Sequence, residues 1–418
     1  MKKKIWLINH YATGMHLSKG GRHYWFAKEL LKRGYEPTIV CANTYHNSKN
    51  YEDTGNEKYI IEDVDGIPFV FVKTKSAVTN GLDRIINMLG FYKNLFPVSK
   101  ILVKKHGKPD IILASSVHPL TMVAGIKIAR KIKVPCICEI RDLWPENIFA
   151  FNMVKENSFF GKMLIIGEHW VYKNADALIF TKEGDVDYIK ERKWDTGNGG
   201  DIDLSKTHYI NNGVLLKDFN YYKDNVVFED DDLSDTSFNV IYTGAIRPVN
   251  NVMNLVYVAN ELKEHKDIKL FVFGDGYQLE SIRNKAKELK LNNIFFKGRV
   301  DKNYIPNILS KSSVNILNYS QDMYTWSRGN SSNKLFEYMA SGKPVISTVK
   351  MGYSIIDKYK CGVEIAEASP VKIAQEILKI KSMHKEQYEK MGYNAAEGVK
   401  DFDFSVLTKK LVEVIENV

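Results

Sequence analysis

The chain has 418 residues, 44% of them hydrophobic and 26% charged, with a net charge of +9. This balance excludes collagen-like, mucin-like and disordered classes, and the length points to two domains of roughly 200 residues rather than one core. The basic excess would suit an anionic lipid or a phosphorylated substrate, and equally a plain lysine-rich surface; no aromatic–basic motif supports nucleic acid.

Four cysteines, Cys41, Cys136, Cys138 and Cys361, form no C-x-x-C pair. Cys136 and Cys138 alternate in a strand-like run, which reads as buried thiols in a reducing cytoplasm. The apolar run Ile5–Ile8 is too short for a secretory leader, and no stretch approaches the roughly 18–20 residues of a membrane span. A cytoplasmic protein is expected, soluble or held on a membrane surface.

Ile5–Ile8 predicts a first buried strand, followed by a polar loop ending in Gly20-Gly21. A helix over about 23–33 stops at Gly34, a natural C-cap. Strands follow at 38–41 and 67–72, then an amphipathic segment from Ile85 to Lys108. A strand at 110–114 leads to His118, a helix over 120–132, and a strand at 135–140 that ends in Arg141–Glu146. Further strands are expected at 177–181 and 208–210.

The rhythm then restarts. Strands are expected at 238–242, 269–273, 294–296, 314–317 and 344–347, with helices at 252–265, 278–290 and 333–340. Alternating strands and helices predict an α/β fold of two Rossmann-like, doubly wound domains facing a central cleft. The acidic stretch within 218–235 marks the junction, giving domains 1–218 and 219–400 and a last segment 401–418.

In such sheets ligands sit at the carboxyl ends of strands. Gly20-Gly21 precedes a helix and lets backbone amides approach an anion, though the pattern is not G-x-G-x-x-G and also fits a simple turn. In the second half, Ser332 or Asn333 caps a helix carrying Lys334, Leu335 and, one turn on, Glu337. Free amides and Lys334 suit a diphosphate, and a carboxylate at Glu337 suits a ribose diol. Gly244 permits close approach, and Arg247 could hold a phosphate. Arg299 and Val300 follow a strand where a base edge could be read. His118 could donate to a ligand hydroxyl or be structural. The D-x-D pairs Asp185/Asp187, Asp201/Asp203 and Asp401/Asp403 read as helix-surface or loop residues rather than metal ligands. No metal and no cofactor are expected.

These strings together resemble glycosyltransferase family 4, with the fold called GT-B, and most closely its bacterial surface-polysaccharide members, including N-acetylfucosamine and other amino-sugar transferases. The resemblance rests on "RDLWPE" at 141–146, "EHWVYKNAD" at 168–176, "YTGAI" at 242–246, "FFKGRV" at 295–300 and "NKLFEYMASGKPVI" at 333–346. It implies a retaining, metal-independent transferase using a UDP-sugar. Glu337 would take the ribose; Arg247, Lys334 and the amides near Ser332 the diphosphate. The Gly20-Gly21 loop would close on the phosphates, and the acceptor, lipid-linked or saccharide, would lie near His118 and Asp142. His118, Asp142 and Glu337 are the implied catalytic residues. The final helix would cross back to the first domain.

Two departures stand out. Relatives often carry a second Glu eight positions before the one matched by Glu337, where this chain has Gly329. They also often have a Lys soon after the glycine matched by Gly244, where Arg247-Pro248-Val249-Asn250 stands here. A sugar-nucleotide 2-epimerase and a non-catalytic nucleotide-sugar-binding partner of another transferase are the competing readings. The Ile85–Lys108 segment and the Phe149–Phe160 stretch also fit contact with an anionic membrane.

Overall fold

The computed structural model describes residues 2–78, 81–150, 152–233, 236–321 and 326–418. Phe151, within the 149–160 stretch, and Asp235, at the end of the acidic stretch, lie outside them. The chain divides into two compact units, 1–211 with 407–418, and 212–406. Residues 212–218, grouped above with the first half, fall in the second.

The first unit holds an eight-stranded sheet: β1 (Lys4–Ile8), β2 (Glu36–Ala42), β3 (Tyr59–Val64), β4 (Ile67–Val72), β5 (Ile111–Ser115), β6 (Cys136–Ile140), β7 (Ala177–Phe180) and β8 (Thr207–Tyr209), in the order β3-β4-β2-β1-β5-β6-β7-β8. All neighbours run parallel except β3 against β4. Strands covered on both faces read as near-continuous apolar runs, and β5 and β6 are buried at every position. The hairpin β3–β4 was not anticipated, although Asp65-Gly66 between two apolar runs is a hairpin signal. The amphipathic segment is the helix Leu82–His106. Its exposed large apolar residues, Leu82, Ile85, Ile86 and Leu89, lie at its start, whereas Phe91, Leu95, Val98 and Leu102 are core.

The second unit holds six strands: β9 (Phe238–Thr243), β10 (Ile268–Phe273), β11 (Ile294–Gly298), β12 (Val314–Leu317), β13 (Val345–Ser347) and β14 (Gly362–Glu364), all parallel, in the order β11-β10-β9-β12-β13-β14. Two apolar layers cover its faces. The α/β class and two doubly wound sheets are therefore as expected. β14 and the helices Pro370–Lys381 and Lys385–Gly398 were not foreseen.

The last helix spans Phe404–Glu416, and from Leu407 onward it belongs to the first unit. There Leu407, Leu411 and Ile415 are buried at i, i+4 and i+8, and Glu416 accepts from Lys3 Nζ at 2.6 Å and Tyr35 Oη at 2.7 Å. One acidic pair needs correction. Asp185 is fully buried, not on a helix surface, with Lys182 Nζ 3.8 Å away. Asp403 accepts from the amides of Leu216 and Ser405, a structural cap.

The ends of β9 and β10 meet without room for a side chain. A Cβ on Gly274, whose φ is +149°, would stand 1.8 Å from the Gly244 carbonyl oxygen. One on Gly276 would stand 2.0 Å from that of Ile246. Gly274→Ala should therefore cost more than about 3 kcal/mol, combining overlap with positive-φ strain, read as a fall in the urea midpoint at unchanged slope.

Candidate active site

In the second unit strand order reverses between β9 and β12, and the site is built around that reversal. Beyond β9, β10 and β11 lies a cavity of about 490 Å³ lined by Gly244, Ala245, Arg247, Phe273, Gly274, Asp275, Gly276, Arg299, Val300, Lys302 and Ile305. Four predicted residues, Gly244, Arg247, Arg299 and Val300, thus share one cavity. The glycines bring bare backbone to its wall. Arg247 sits in extended conformation at the N-cap of a short turn, Pro248–Asn250.

The helix Asn333–Ala340 enters with Ser332 as its N-cap residue. The Ser332 amide donates to Asn330 Oδ1 at 2.7 Å, and the Ser331 carbonyl accepts from Asn212 Nδ2 at 2.6 Å, which fixes the entry. Asn333 is exposed. The Leu335 side chain is buried in the apolar core beneath the helix, so only its backbone could face a ligand. Glu337 is partly buried, with an oxygen 3.6 Å from Lys302 Nζ, and so reaches a residue of the cavity wall.

Lys334 lies over two rings, its Nζ 4.7 Å from the centre of Tyr242 and 4.6 Å from that of Tyr319. These rings lie at the ends of β9 and β12. A Cβ on Gly244 would stand 3.4 Å from this Nζ, so the ammonium lies directly against the glycine turn. Burial, only partly offset by the Glu337 charge, pushes the Lys334 ammonium down to about 7. Cation–π contact supports the charge without neutralising it, which leaves the cation poorly compensated.

Gly329 has φ +97°, and a Cβ there would meet the Gly352 carbonyl at 3.4 Å. The backbone at the position of the relatives' second Glu thus disfavours any side chain.

In the first unit strand order reverses between β1 and β5. His10 follows β1 and His118 follows β5, and His10 Nδ1 lies 2.6 Å from His118 Nε2. His118 is 1% exposed, less open than a ligand-facing residue was expected to be. Burial first, then the charge of Arg84, pushes it down to about 3, so both rings are neutral at pH 7. One ring donates and the other accepts. Among the described residues the far nitrogens, His10 Nε2 and His118 Nδ1, have no partner.

Gly20 and Gly21 lie just before the helix Arg22–Lys32, and Gly21, at φ +110°, is its N-cap. Arg22 anchors this entry: Nε donates to Glu139 Oε2 at 2.7 Å, and Nη1 and Nη2 donate to the carbonyls of Asn211 and Ile210. Ser115 donates to Glu139 Oε1 at 2.7 Å, and His23 Nε2 lies 3.1 Å away. Burial alone would raise the Glu139 carboxyl; Arg22 and His23 outweigh it and hold the group well below the usual carboxylate range. Asp142 is exposed, its carboxylate 4.0 Å from Lys182 Nζ.

Sequence reasoning missed Tyr319, Lys302 and His10. His10 carried the same signal as His118, a histidine just past a strand end. Tyr319 and Lys302 also follow strand ends, β12 and β11, but nothing local shows that they meet Lys334 and Glu337.

Residues 21–198 match the family model "Glycosyl transferase 4-like domain", and residues 226–398 match "Glycosyl transferases group 1". Together the two models account for most of the chain. Solved structures share its fold throughout. Sucrose-phosphate synthase from Thermosynechococcus elongatus aligns over 100% of this chain and 99% of its own, at TM-score 0.70 and 15% identity. Anabaena HepE in complex with UDP-glucose aligns over 100% of both, at 0.64 and 13%. WaaG, a glycosyltransferase involved in lipopolysaccharide biosynthesis, aligns over 99% of this chain and 100% of its own, at 0.64 and 13%. These neighbours have the GT-B fold. No curated protein matches the chain in sequence.

The Lys334 environment sets a pH dependence. Unfolded, the ammonium titrates near 10.5; folded, near 7. Between those values the unfolded chain binds more protons, so stability rises with pH through this window, and below pH 7 the burial cost is fully present. Urea melts at pH 7 and 9.5 should show that gain in the wild type, and Lys334→Met should lose it.

Proposed function

We propose that this chain is a retaining, metal-independent glycosyltransferase that moves a sugar, an N-acetylated amino or deoxy sugar, from a UDP donor to a lipid-linked or saccharide acceptor in bacterial surface-polysaccharide synthesis. The observation that carries the donor reading is the second-unit cavity, where bare glycine backbone, Arg247, Arg299 and Lys302 meet beside Glu337 and Lys334. HepE in complex with UDP-glucose and WaaG in lipopolysaccharide biosynthesis support the donor and pathway classes.

The nucleotide would lie with its ribose diol on Glu337 and its base edge on the backbone near Val300. Arg247, Lys334 and the first-turn amides at Ser332 and Asn333 would face the diphosphate. As the glycosidic bond to the donor phosphate breaks, negative charge grows on the leaving diphosphate, and cations already fixed there stabilise it without reorganising. Lys334 suits this task because an incoming anion supplies the compensation its folded site lacks. The free nitrogen of His118 would orient the sugar or support its developing positive charge, with Asp142 on the acceptor side. The front-face course, in which the leaving phosphate takes the acceptor proton, needs no carboxylate nucleophile.

The acceptor reading adds a membrane surface. No helix among the described residues is long and apolar enough to cross a bilayer. Met153, Phe159, Phe160, Met163 and Ile166 are each more than half exposed, beside Lys155 and Lys162. Leu82, Ile85, Ile86 and Leu89 form a second exposed apolar group. Apolar side chains flanked by lysines suit an anionic interface.

Thermal-shift measurements with UDP, GDP, CMP and ADP test the donor site. At 100 times its Kd, UDP should stabilise the wild type by about 2.7 kcal/mol, and Glu337→Ala should lose the shift; a GDP-only response would change the donor class. His118→Ala should cut transfer on the order of a hundredfold or more while UDP affinity stays near normal, and unchanged turnover would remove His118 from the reaction. Co-sedimentation with anionic vesicles at low salt should capture the wild type and fail for Phe159→Glu/Phe160→Glu.

A further inference from the structure

Away from this chemistry, three ligand-type side chains from separate segments of the first unit converge. His16 lies on the short helix Gly14–Ser18, Glu52 just past the bridge between Thr44 and Tyr51, and Glu62 on β3. His16 is 7% exposed, its ring packed edge-on against Phe71 at 5.0 Å between centres. Its Nδ1 lies 2.7 Å from the Thr13 carbonyl oxygen. A carbonyl only accepts, so Nδ1 carries a proton, and Nε2 is the ring nitrogen that faces the carboxylates.

Nε2 lies 3.4 Å from Glu52 Oε1 and 4.0 Å from Glu62 Oε2, and the three atoms lie within 4.8 Å of one another. Among the described residues Nε2 makes no hydrogen bond. Lone pairs that converge in this way repel unless something positive stands between them. A proton on Nε2 is one solution, but a charge-assisted N–H···O bond closes to about 2.7–2.9 Å. Two ligands on a tetrahedral ion, with bonds of about 2.0–2.1 Å, stand about 3.3 Å apart. The 3.4 Å gap between Nε2 and Glu52 Oε1 is wider than such a bond and close to that ligand–ligand spacing.

The surroundings agree. A metal-bound histidine usually donates its other nitrogen to a carbonyl or carboxylate, as His16 does to Thr13. Tyr45 Oη donates to Glu52 Oε1 and steadies that carboxylate. Glu62 is partly exposed and free to close the remaining distance.

We propose that His16, Glu52 and Glu62 bind one divalent transition-metal ion of the zinc class. One nitrogen and two carboxylates suit zinc better than magnesium or calcium, which favour all-oxygen shells; water would complete the coordination. The ion would tie the Gly14–Ser18 helix to β3 and to the 43–52 loop. Met15 of the same helix covers Gly21, where an added Cβ would stand 3.2 Å from its side chain. Loading the ion would therefore hold the Gly20-Gly21 loop in place. The proposal rests on the three side chains alone and does not depend on the donor reading.

Calorimetric titration of metal-depleted full-length protein with zinc tests it. The expected result is one equivalent bound, unaffected by excess magnesium, with binding lost in His16→Gln and weakened at least tenfold in Glu62→Gln. Zinc should raise the Tm of the wild type and leave that of His16→Gln unmoved. Glu62→Gln changes a partly exposed side chain and keeps the test open if His16→Gln fails to fold. Equal binding by the wild type and Glu62→Gln, or no binding by the wild type, would overturn the proposal.

Discussion

In both sheets the strand order reverses beside the first strand of the unit, and polar side chains from separate strands meet at each reversal. In a doubly wound sheet the connections on either side of that point leave toward opposite faces. The pair β1/β5 places His10 beside His118; the pair β9/β12 places Tyr242 beside Tyr319 with Lys334 over both. Neither constellation exists within any one segment of sequence. The glycines at 244, 274 and 276 then let neighbouring strand ends approach at backbone distance, which makes the cavity wall from amides and carbonyls instead of side chains.

The two units handle buried charge differently. In the first, Glu139 is met by Arg22, His23 and Ser115, and Arg22 spends its remaining donors on the carbonyls of Ile210 and Asn211. A network satisfied at this level specifies geometry; it fixes how the helix after Gly21 starts. In the second, Lys334 has two aromatic faces, a Tyr242 hydroxyl at the edge of hydrogen-bond range, 3.5 Å away, and, among the described residues, no carboxylate bonded to it. Its ammonium is held at a cost the folded unit bears without a ligand. Perturbed groups of this kind gather at functional sites because an incoming partner of opposite charge relieves the perturbation. His118 is a third case, a buried ring kept neutral and bonded on one side only.

Much of this was legible beforehand. Parallel strands buried on both faces must be nearly all apolar, so β1, β5, β6 and β10 announce themselves. Gly34 past a helix and Ser332 before one mark boundaries by local backbone chemistry. Gly244, Arg247, Arg299 and Val300 were found because each follows a strand, and ligands gather at strand ends. The hairpin at Asp65-Gly66 was equally legible, and its signal was passed over.

The sequence by itself determined the α/β class, the two sheets and the strand ends at which polar residues collect, because these follow from apolar runs and turn chemistry within a few residues. Tertiary structure alone decided which strand ends are neighbours. It put Tyr319 beneath Lys334 and His10 against His118, turned Leu335 into the core and buried Asp185. It also gathered His16, Glu52 and Glu62 from three segments with no common spacing. Spacing along a chain reports what one helix or strand presents on its own faces; contacts across a parallel sheet depend on strand order, which no local pattern records.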